Sequence, residues 1–457
     1  MYISPVACSK QVVSRNKVSV LENVFKMNKY RKVLLEYSHP WLNMFIMNIS
    51  LFPSIIFIIF LFLSSTIRII SQLDLRFISG IFFLVFWLLP FILFINGSPR
   101  GRLIEALIYS LCFILLSCFH SESSLRFYIC FELRLVPTFM LIYIYGYQPE
   151  KVSSVLFLVI YMFLFSLPFL LLILLNWFPK IGLFRLYISN IPLLRLLGFR
   201  LVFIVKTPLF FFHIWLPKAH VEAPVAGSII LASLLLKIGT IGCLIIWPVV
   251  VVCLPTYLYF FLRLFGGLIC RFLCLRSRDI KYIIAYSSVV HIGVVTVGWL
   301  SFTYSSKYAL LLMTFGHGLS RPFLFAASYI LYKVYHRRSL LFSKGIVFSL
   351  FTFTLFILLT INAGFPPRLN LWAEICFITH VLSARSWLIG ILAVLAFFTF
   401  MYNINIYVML VSGKSSPQSG INDTLWNPLT VTPIYYSYFS FLRFSIFTFS
   451  YIKQPHQ

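Results

Sequence analysis

Two lysines lie inside apolar segments that are long enough to cross a bilayer. Lys206 and Lys237 belong to the stretch KTPLFFFHIWLPKAHVEAPVAGSIILASLLLKIG, which begins at residue 206. A charged lysine at the centre of a bilayer costs about 3 kcal/mol on insertion scales, and such residues commonly serve ion transport. Pro208 removes a backbone donor and is expected to break the first helix. Broken helices at membrane depth face protein or a water-filled cavity. The stretch therefore predicts an ion path.

An acidic partner for the first lysine is present in FYICFELRLVP, which contains Glu132 and Arg134. Residues two apart lie on different faces of a helix, so these two side chains are poor partners for each other. Glu132 then needs another cation, and Lys206 is the natural candidate. A contact that forms and breaks would alternately raise and lower the proton affinity of the lysine. The alternative is a span end where the charge reaches water, and this is the favoured interpretation for Arg134.

Other titratable side chains recur in the later apolar segments. His291, His317 and Glu374 each lie within such a run, and Arg321 follows His317 by one helical turn. Histidine titrates near neutrality and can relay protons, although a lone intramembrane histidine is often only a hydrogen-bonded structural residue. Arg321 is expected to disfavour protonation of His317. Glu374 could instead be a capped helix end. Two further histidines nearer the membrane interface could be access points for protons or hydrogen-bonding helix ends, and the second interpretation is favoured: His213 and His220.

The composition requires a membrane protein. Hydrophobic residues make up 61% of the 457 residues and charged residues only 11%, far less charge than a soluble domain carries. The apolar runs are continuous rather than alternating, which predicts helices and not a β-barrel. The net charge of +26 is spread over short loops and span ends. It therefore indicates contact with anionic lipid headgroups rather than with nucleic acid.

The chain shows no sequence signature of a redox or nucleotide site. Its nine cysteines include no C-x-x-C pair and no cysteine and histidine finger spacing. Cys270 and Cys274, one helical turn apart, are interpreted as small core residues. Neither the G-x-G-x-x-G nor the G-x-x-x-x-G-K pattern occurs. We expect no metal and no cofactor in this chain.

Fourteen membrane spans are expected along the chain. Residues 1–43 are polar and basic and contain no such span, and they could be a targeting segment, an arm outside the membrane or an overextended reading frame. The predicted spans are 51–71, 78–97, 103–120, 126–146, 153–176, 196–217, 225–246, 253–276, 281–301, 308–333, 341–363, 369–383, 387–411 and 434–452.

Two segments that proline interrupts suggest an internal repeat. The first contains Lys206 and Pro208. The second, GFPPRLNLWAE, contains Pro366 and Pro367 followed by Glu374. Interrupted helices in corresponding halves, each with one ionisable group, are typical of repeated halves with sites near the membrane midplane.

These motifs carry a family resemblance. The pattern K-x-P-x-x-x-x-H-x-W-L-P-x-A-H-x-E-A-P-x-x-G-S, followed by L-L-L-K-x-G, resembles the antiporter-like proton-translocating subunits of respiratory NADH:ubiquinone oxidoreductase (complex I), in particular its subunit 4 branch. Four more blocks support the resemblance, which covers about residues 78–411: GYQPEK at 146–151, DIKYIIAYSSVVH at 279–291, HGLS at 317–320 and NAGFPPRLNLWAE at 362–374. The sequence departs from the family at its N-terminus, where no first apolar helix occurs. It also departs at Arg321 and Pro322, where small or polar residues are usual.

The resemblance implies roles for six residues in proton translocation: Glu132, Lys206, Lys237, His291, His317 and Glu374. It implies an all-α polytopic fold of about 14 transmembrane helices with two inverted five-helix repeats, each with a broken helix. The implied divisions are a polar N-terminal segment (1–43), N-terminal helices (44–125), a first repeat (126–276), a second repeat (277–411) and a C-terminal loop and helix (412–457).

The resemblance also implies a setting, which is a multi-pass subunit of the mitochondrial inner membrane. NADH, FMN, iron–sulfur clusters and ubiquinone would be bound by other subunits. The expected partners are the other membrane-arm subunits, including neighbouring antiporter-like subunits, and membrane lipid such as cardiolipin. Two rival hypotheses remain. One is a subunit of a multisubunit cation/proton antiporter or of a membrane-bound hydrogenase, and the other is a purely structural membrane subunit.

Overall fold

The computed structural model describes residues 102–413, with gaps at 120, 122–123, 147, 175–201, 204, 246–255, 300–303, 342, 346–348, 366–368 and 385–387. The spans predicted at 51–71, 78–97 and 434–452 and the segment 1–43 lie outside these residues. Pro366 and Pro367, predicted to interrupt the second repeat, also lie outside them.

The described part of the chain is helical. It forms thirteen α-helices and no strand. The helices are α1 (Arg102–Phe119), α2 (Ser124–Leu133), α3 (Leu135–Tyr145), α4 (Lys151–Leu174), α5 (Trp215–Glu222), α6 (Val225–Ile230), α7 (Leu236–Ile245), α8 (Thr256–Arg276), α9 (Ile280–Trp299), α10 (Tyr304–Tyr335), α11 (Ser349–Asn362), α12 (Leu369–Ala384) and α13 (Leu388–Val411). A π-helical turn at Leu231–Leu235 joins α6 to α7.

Apart from the span predicted at 196–217, helices are present where apolar runs between residues 103 and 411 predicted them, and most of their ends agree within a few residues. One clear difference is α11, which begins at Ser349 rather than at 341. Gly345 adopts a φ of 73°, in the left-handed region that a right-handed helix cannot include. Gly345 therefore lies outside any right-handed helix.

Three helical segments of the described part are long and apolar enough to cross a membrane: Leu125–Tyr145, Lys151–Leu174 and Ile389–Val411. Along α4, large apolar side chains recur on one exposed face, including Leu156, Ile160 and Phe163. In water such a stripe would be unfavourable, whereas lipid accommodates it.

The first broken helix lies where Pro208 predicted it. Residues 202, 203, 205 and 206 are helical, residues 210–214 form turns, and α5 begins at Trp215. Phe211 within the turns adopts a φ of 77°. Arg263 of α8 donates through Nη1 to the carbonyl oxygens of Thr207 at 2.5 Å and Pro208 at 3.1 Å. The guanidinium thus satisfies carbonyls that the break removes from the helical pattern.

The core lies among α8, α9, α10 and α12, which make the most extensive contacts between helices. The side chains of α9 from Ile283 to Val290 are buried. The loops at one end are tied together, because the backbone N–H of Ile280 donates to the carbonyl of Arg338 at 3.2 Å and that of Leu340 to Arg278 at 2.8 Å. These helices carry four buried charged residues within the described part of the chain: Arg263, Arg271, Lys281 and Arg321.

Candidate functional site

Lys206 and Glu132 form an ion pair inside the helix bundle. Nζ of Lys206 lies 3.0 Å from Oε1 of Glu132, and the two side chains are 3% and 11% exposed. The pairing predicted from the sequence is therefore present. Oε2 of Glu132 has no hydrogen-bond partner within the described residues, so the carboxylate retains an acceptor for a second donor.

Arg134 is buried beside this pair, and the prediction that it reaches water at a span end is wrong. Its side chain is 2% exposed. Nη1 donates to the carbonyl oxygen of Leu235 at 3.4 Å, and the guanidinium carbon lies 4.4 Å from the ring centroid of Phe131. The helical segment continues beyond Arg134 as α3. The residue is therefore in the middle of a span and not at its end.

The π-helical turn supplies backbone acceptors to two basic side chains. Nζ of Lys237 donates to the carbonyl oxygen of Ala232 at 2.6 Å, and Arg134 reaches that of Leu235. Single π turns within α-helices shift the backbone hydrogen bonds and occur frequently at functional sites. The letters LASLL contain no residue that signals such a turn, so the sequence did not predict it.

Lys237 contacts a histidine from a distant helix. Nζ of Lys237 lies 3.0 Å from Nδ1 of His317 on α10. Lys237 is 2% exposed, so it does not snorkel to the membrane surface. The two residues line a small cavity of about 10 Å³ together with Thr240, Thr314 and Ile292. Arg321 donates through Nε to Nε2 of His317 at 2.9 Å.

The third contact joins His291 to Glu374. Nδ1 of His291 lies 3.1 Å from Oε1 of Glu374, and the side chains are 1% and 22% exposed. Gly364, with a φ of 79°, approaches the same carboxylate so closely that an added Cβ would lie 3.2 Å from Oε2. The rings of His291 and His317 have centroids 6.4 Å apart. The Lys237–His317 contact and the His291–Glu374 contact therefore lie next to each other.

His220 is not the hydrogen-bonding group that the sequence suggested, and His213 packs in a similar way. His220 is fully buried and stacks on Phe325 with a centroid distance of 4.9 Å. Neither of its ring nitrogens has a hydrogen-bond partner in the part of the chain that the structure describes. His213 stacks on Phe210 at 5.1 Å, and its Nδ1 is likewise without a partner there. Aromatic packing accounts for both positions.

Three further buried cations were missed by the sequence reasoning. Arg263, Arg271 and Lys281 are 3%, 3% and 8% exposed. Arg263 satisfies the break at Pro208, and Lys281 donates to the carbonyl oxygen of Ala223 at 3.1 Å. A basic residue in or beside an apolar run is the signal that identified Lys206, and the same criterion would have found these three.

The six predicted residues therefore form three contacting pairs: Glu132 with Lys206, Lys237 with His317, and His291 with Glu374. The first two pairs are linked through backbone packing. An added Cβ on Gly239 would lie 3.2 Å from the carbonyl carbon of Lys206, so α7 packs directly on the backbone that carries that lysine. Amines, imidazoles and carboxylates arranged in this way can accept and release protons.

Comparisons with known proteins identify the family. Residues 121–399 match the model of the family described as NADH:quinone oxidoreductase/Mrp antiporter, TM. The NADH-ubiquinone oxidoreductase chain 4 of Locusta migratoria is 38% identical over 310 residues, covering 64% of this chain and 68% of that one. The protein of the same name from Ceratitis capitata is 36% identical over 362 residues, covering 73% and 78%. The chain belongs to the NADH-ubiquinone oxidoreductase chain 4 family.

Solved structures show that this chain 4 family member has the fold of related membrane complexes. A chain of respiratory complex I from Thermus thermophilus with bound NADH superposes with a TM-score of 0.66 at 22% identity, covering 81% of this chain and 82% of that one. A chain of the Mrp complex from Dietzia gives 0.66 at 17% identity, covering 75% and 67%. A chain of an archaeal membrane-bound sulfane sulfur reductase gives 0.67 at 15% identity, covering 81% of each.

Proposed function

We propose that this chain is a proton-translocating membrane subunit of NADH:ubiquinone oxidoreductase. It would couple electron transfer from NADH to ubiquinone, carried out on other subunits, to proton movement through Glu132, Lys206, Lys237 and the histidines beyond them. Membership of the chain 4 family and the antiporter-like fold support this proposal. The chain's own part in the reaction is to hold and move protons.

The single observation that carries the proposal is the Lys206–Glu132 ion pair at a broken helix. Burial of a charged pair costs desolvation energy that its own attraction often does not recover. A contribution to folding stability therefore does not explain why this buried ion pair is present. A carboxylate stabilises the protonated amine, and withdrawal of that carboxylate favours proton release. The proton released by Lys206 would move to Lys237 and then, through His317 and His291, to Glu374.

We further propose the complete architecture that the family resemblance implies. It has about 14 transmembrane helices and two inverted five-helix repeats, at 126–276 and 277–411, with N-terminal helices at 44–125 and a C-terminal helix within 412–457. The non-helical residues before α5 and at 363–365 after α11 support this division, since each set lies close in sequence to an ionisable residue of the proposed path, Lys206 or Glu374.

The proposed setting is the mitochondrial inner membrane, in contact with the other membrane-arm subunits and with cardiolipin. The excess of basic residues supports a preference for anionic lipid. NADH, FMN, iron–sulfur clusters and ubiquinone would be held by the other subunits of the assembly.

Alanine substitution of either member of the ion pair tests the function. Lys206→Ala and Glu132→Ala should nearly abolish proton pumping per NADH oxidised in membrane vesicles that contain the assembled complex. Lys218→Ala, which removes an exposed lysine on α5, is the matched control and should pump at the wild-type ratio. Pumping at that ratio by an assembled Lys206→Ala complex would refute the proposal.

A second candidate is a subunit of a cation/proton antiporter or hydrogenase-type complex, because the Mrp and sulfane sulfur reductase chains share the fold. The native assembly distinguishes the two. Purification with flavin and iron–sulfur partners that oxidise NADH supports the first candidate, and purification with a few small membrane subunits alone supports the second.

A further inference from the structure

Arg321 is a fully buried cation whose contacts all lie within the helix core. Nε donates to Nε2 of His317 at 2.9 Å, and Nη1 donates to the carbonyl oxygen of Ile284 at 3.1 Å and to the hydroxyl of Ser287. Its exposed fraction is 0%. No carboxylate lies within ion-pair distance of Arg321 in the part of the chain that the structure describes. Neutral acceptors on α9 and the His317 ring therefore hold this charge.

The contact with Arg321 determines which ring nitrogen of His317 carries the proton. A guanidinium has only donors, so Nε2 of His317 must accept and cannot carry a proton. A neutral imidazole has one donor and one acceptor. The remaining nitrogen, Nδ1, therefore carries the hydrogen in this arrangement.

This assignment also defines the state of Lys237. Nδ1 of His317 lies 3.0 Å from Nζ of Lys237, and a donor at Nδ1 requires an acceptor at Nζ. Only the neutral amine of lysine has a lone pair, because the ammonium form has three donors and no acceptor. The neutral amine can still donate to the carbonyl of Ala232, which lies 2.6 Å away. Each hydrogen bond in the series from Arg321 through His317 and Lys237 to Ala232 then has one donor and one acceptor.

We propose that Arg321 is a positioning residue that keeps the imidazole of His317 neutral, with its single ring proton on Nδ1. Transfer from Lys237 towards His291 requires Nδ1 to accept a proton while Nε2 releases one. In the arrangement observed, Nδ1 already carries a hydrogen and the lone pair of Nε2 is occupied by Arg321. Transfer in the opposite direction is blocked at Nε2 for the same reason. Arg321 thus separates Lys237 from the His291–Glu374 pair until its contact with Nε2 breaks.

The separation of Lys237 from the His291–Glu374 pair by Arg321, which we call gating, rests on the proposed function. The assignment of the ring proton of His317 does not. The ionisable side chains around His317 are Lys237, Arg321, His291 and His220. Among them only Lys237 and Arg321 are hydrogen-bonded to the ring. Removal of Arg321 leaves Lys237 free to donate as an ammonium to Nδ1, which would favour the tautomer with the proton on Nε2.

The tautomer of His317 can be measured directly. The assembled complex is labelled with ¹⁵N-histidine, and the signal of His317 is assigned by its loss in His317→Gln. We expect the Nδ1–H form in the wild-type complex. In Arg321→Met we expect the ratio of the two tautomers to move towards Nε2–H by about tenfold or more, the effect of one charge-assisted hydrogen bond.

Two matched variants make the test specific. Arg321→Lys keeps a cationic donor for Nε2 and should retain the Nδ1–H form. Arg271→Met removes another buried cation, which acts electrostatically on His291, and should leave the tautomer unchanged. An Nε2–H form in the wild-type complex, or an unchanged Nδ1–H form in Arg321→Met, would overturn the inference. If Arg321→Met fails to assemble, the tautomer measured in the wild-type complex still tests the assignment of the ring proton to Nδ1.

Proton pumping separates this inference from the proposed function. Arg321→Met should pump fewer protons per NADH than Arg321→Lys, because the two halves of the path are no longer separated at rest. Equal ratios in these two variants would overturn the gating role. The proposed function itself is decided independently by Lys206→Ala.

Discussion

Nζ of Lys206 lies 3.1 Å from the ring centroid of Phe131, the residue immediately before its carboxylate partner Glu132. The ammonium is therefore stabilised by two adjacent side chains of α2, one charged and one aromatic. A desolvated cation–π contact contributes about 2 kcal/mol or more. Part of the stabilisation of the Lys206 ammonium therefore does not depend on the Glu132 carboxylate.

Replacement of the aromatic ring tests this contribution. Phe131→Leu should lower proton pumping per NADH by up to about tenfold, because loss of a cation–π contact of this size reduces the protonated fraction of Lys206. Phe131→Trp should retain pumping, since indole binds cations best. Phe127→Leu is the control, because Phe127 stacks on Phe131 at 5.5 Å but has no described contact with the ammonium. Equal pumping by Phe131→Leu and Phe127→Leu would contradict the prediction.

Arg134 is expected to be important for stability through its contact with the π turn. Arg134→Met leaves the buried carbonyl of Leu235 without this donor, which should cost about 1–3 kcal/mol. The measurement is the thermal stability of the assembled complex and the amount of this subunit retained in it. Arg276→Met removes an exposed arginine at the end of α8 and should have little effect. An Arg134→Met complex as stable as that control would argue against the contact.

The sequence predicted those features that depend on local composition. Apolar runs fix the helices, and Pro208 fixes the break because its ring cannot donate a backbone hydrogen bond. The Lys206–Glu132 pair was predicted because Arg134 is a poor partner for Glu132 on the same helix and Lys206 was the natural alternative cation. Those inferences need no knowledge of how distant helices pack.

The remaining pairs depend on packing and could not be derived in that way. Lys237 and His317 are 80 positions apart, and His291 and Glu374 are 83 apart. Which histidine meets which partner is set by the rotation of α9, α10 and α12 about their axes, and these helices are apolar or buried on nearly all sides. The interpretation of Arg134 was wrong for a related reason. The predicted span 126–146 contains this residue, but its burial depends on a contact with the carbonyl of Leu235, which lies far away in sequence.

Glu374 can be tested with a substitution that keeps its shape. Glu374→Gln retains a group that can hydrogen-bond to His291 but cannot ionise, so pumping should be strongly reduced while the complex still assembles. Glu374→Asp should retain part of the activity because the carboxylate is kept. Glu150→Gln, at an exposed acid, is the control and should pump at the wild-type ratio. An assembled Glu374→Gln complex that pumps as well as Glu150→Gln would exclude a role for this carboxylate in proton transfer.

Gly242 on α7 packs against the ring of Phe203, which belongs to a cluster of three aromatic side chains with Phe131 and Phe169. A Cβ at this position would overlap the ring of Phe203, which also packs on Phe131 at 5.8 Å and on Phe169 at 5.7 Å. Gly242→Ala should therefore overpack the core and cost about 1–3 kcal/mol. The expected result is a lower thermal midpoint of the complex and less retained subunit.

The control for Gly242→Ala is Gly293→Ala, since an added Cβ at Gly293 meets no heavy atom within 4 Å. Alanine favours a helix over glycine by about 1 kcal/mol, so this variant should be neutral or slightly stabilising. If the Phe203 ring is the cause, the double variant Gly242→Ala with Phe203→Leu should be less destabilised than the sum of the two single changes, as expected for residues in contact. Strict additivity would mean that the methyl group is accommodated elsewhere, and the close packing of α7 on Phe203 would then not explain the need for glycine.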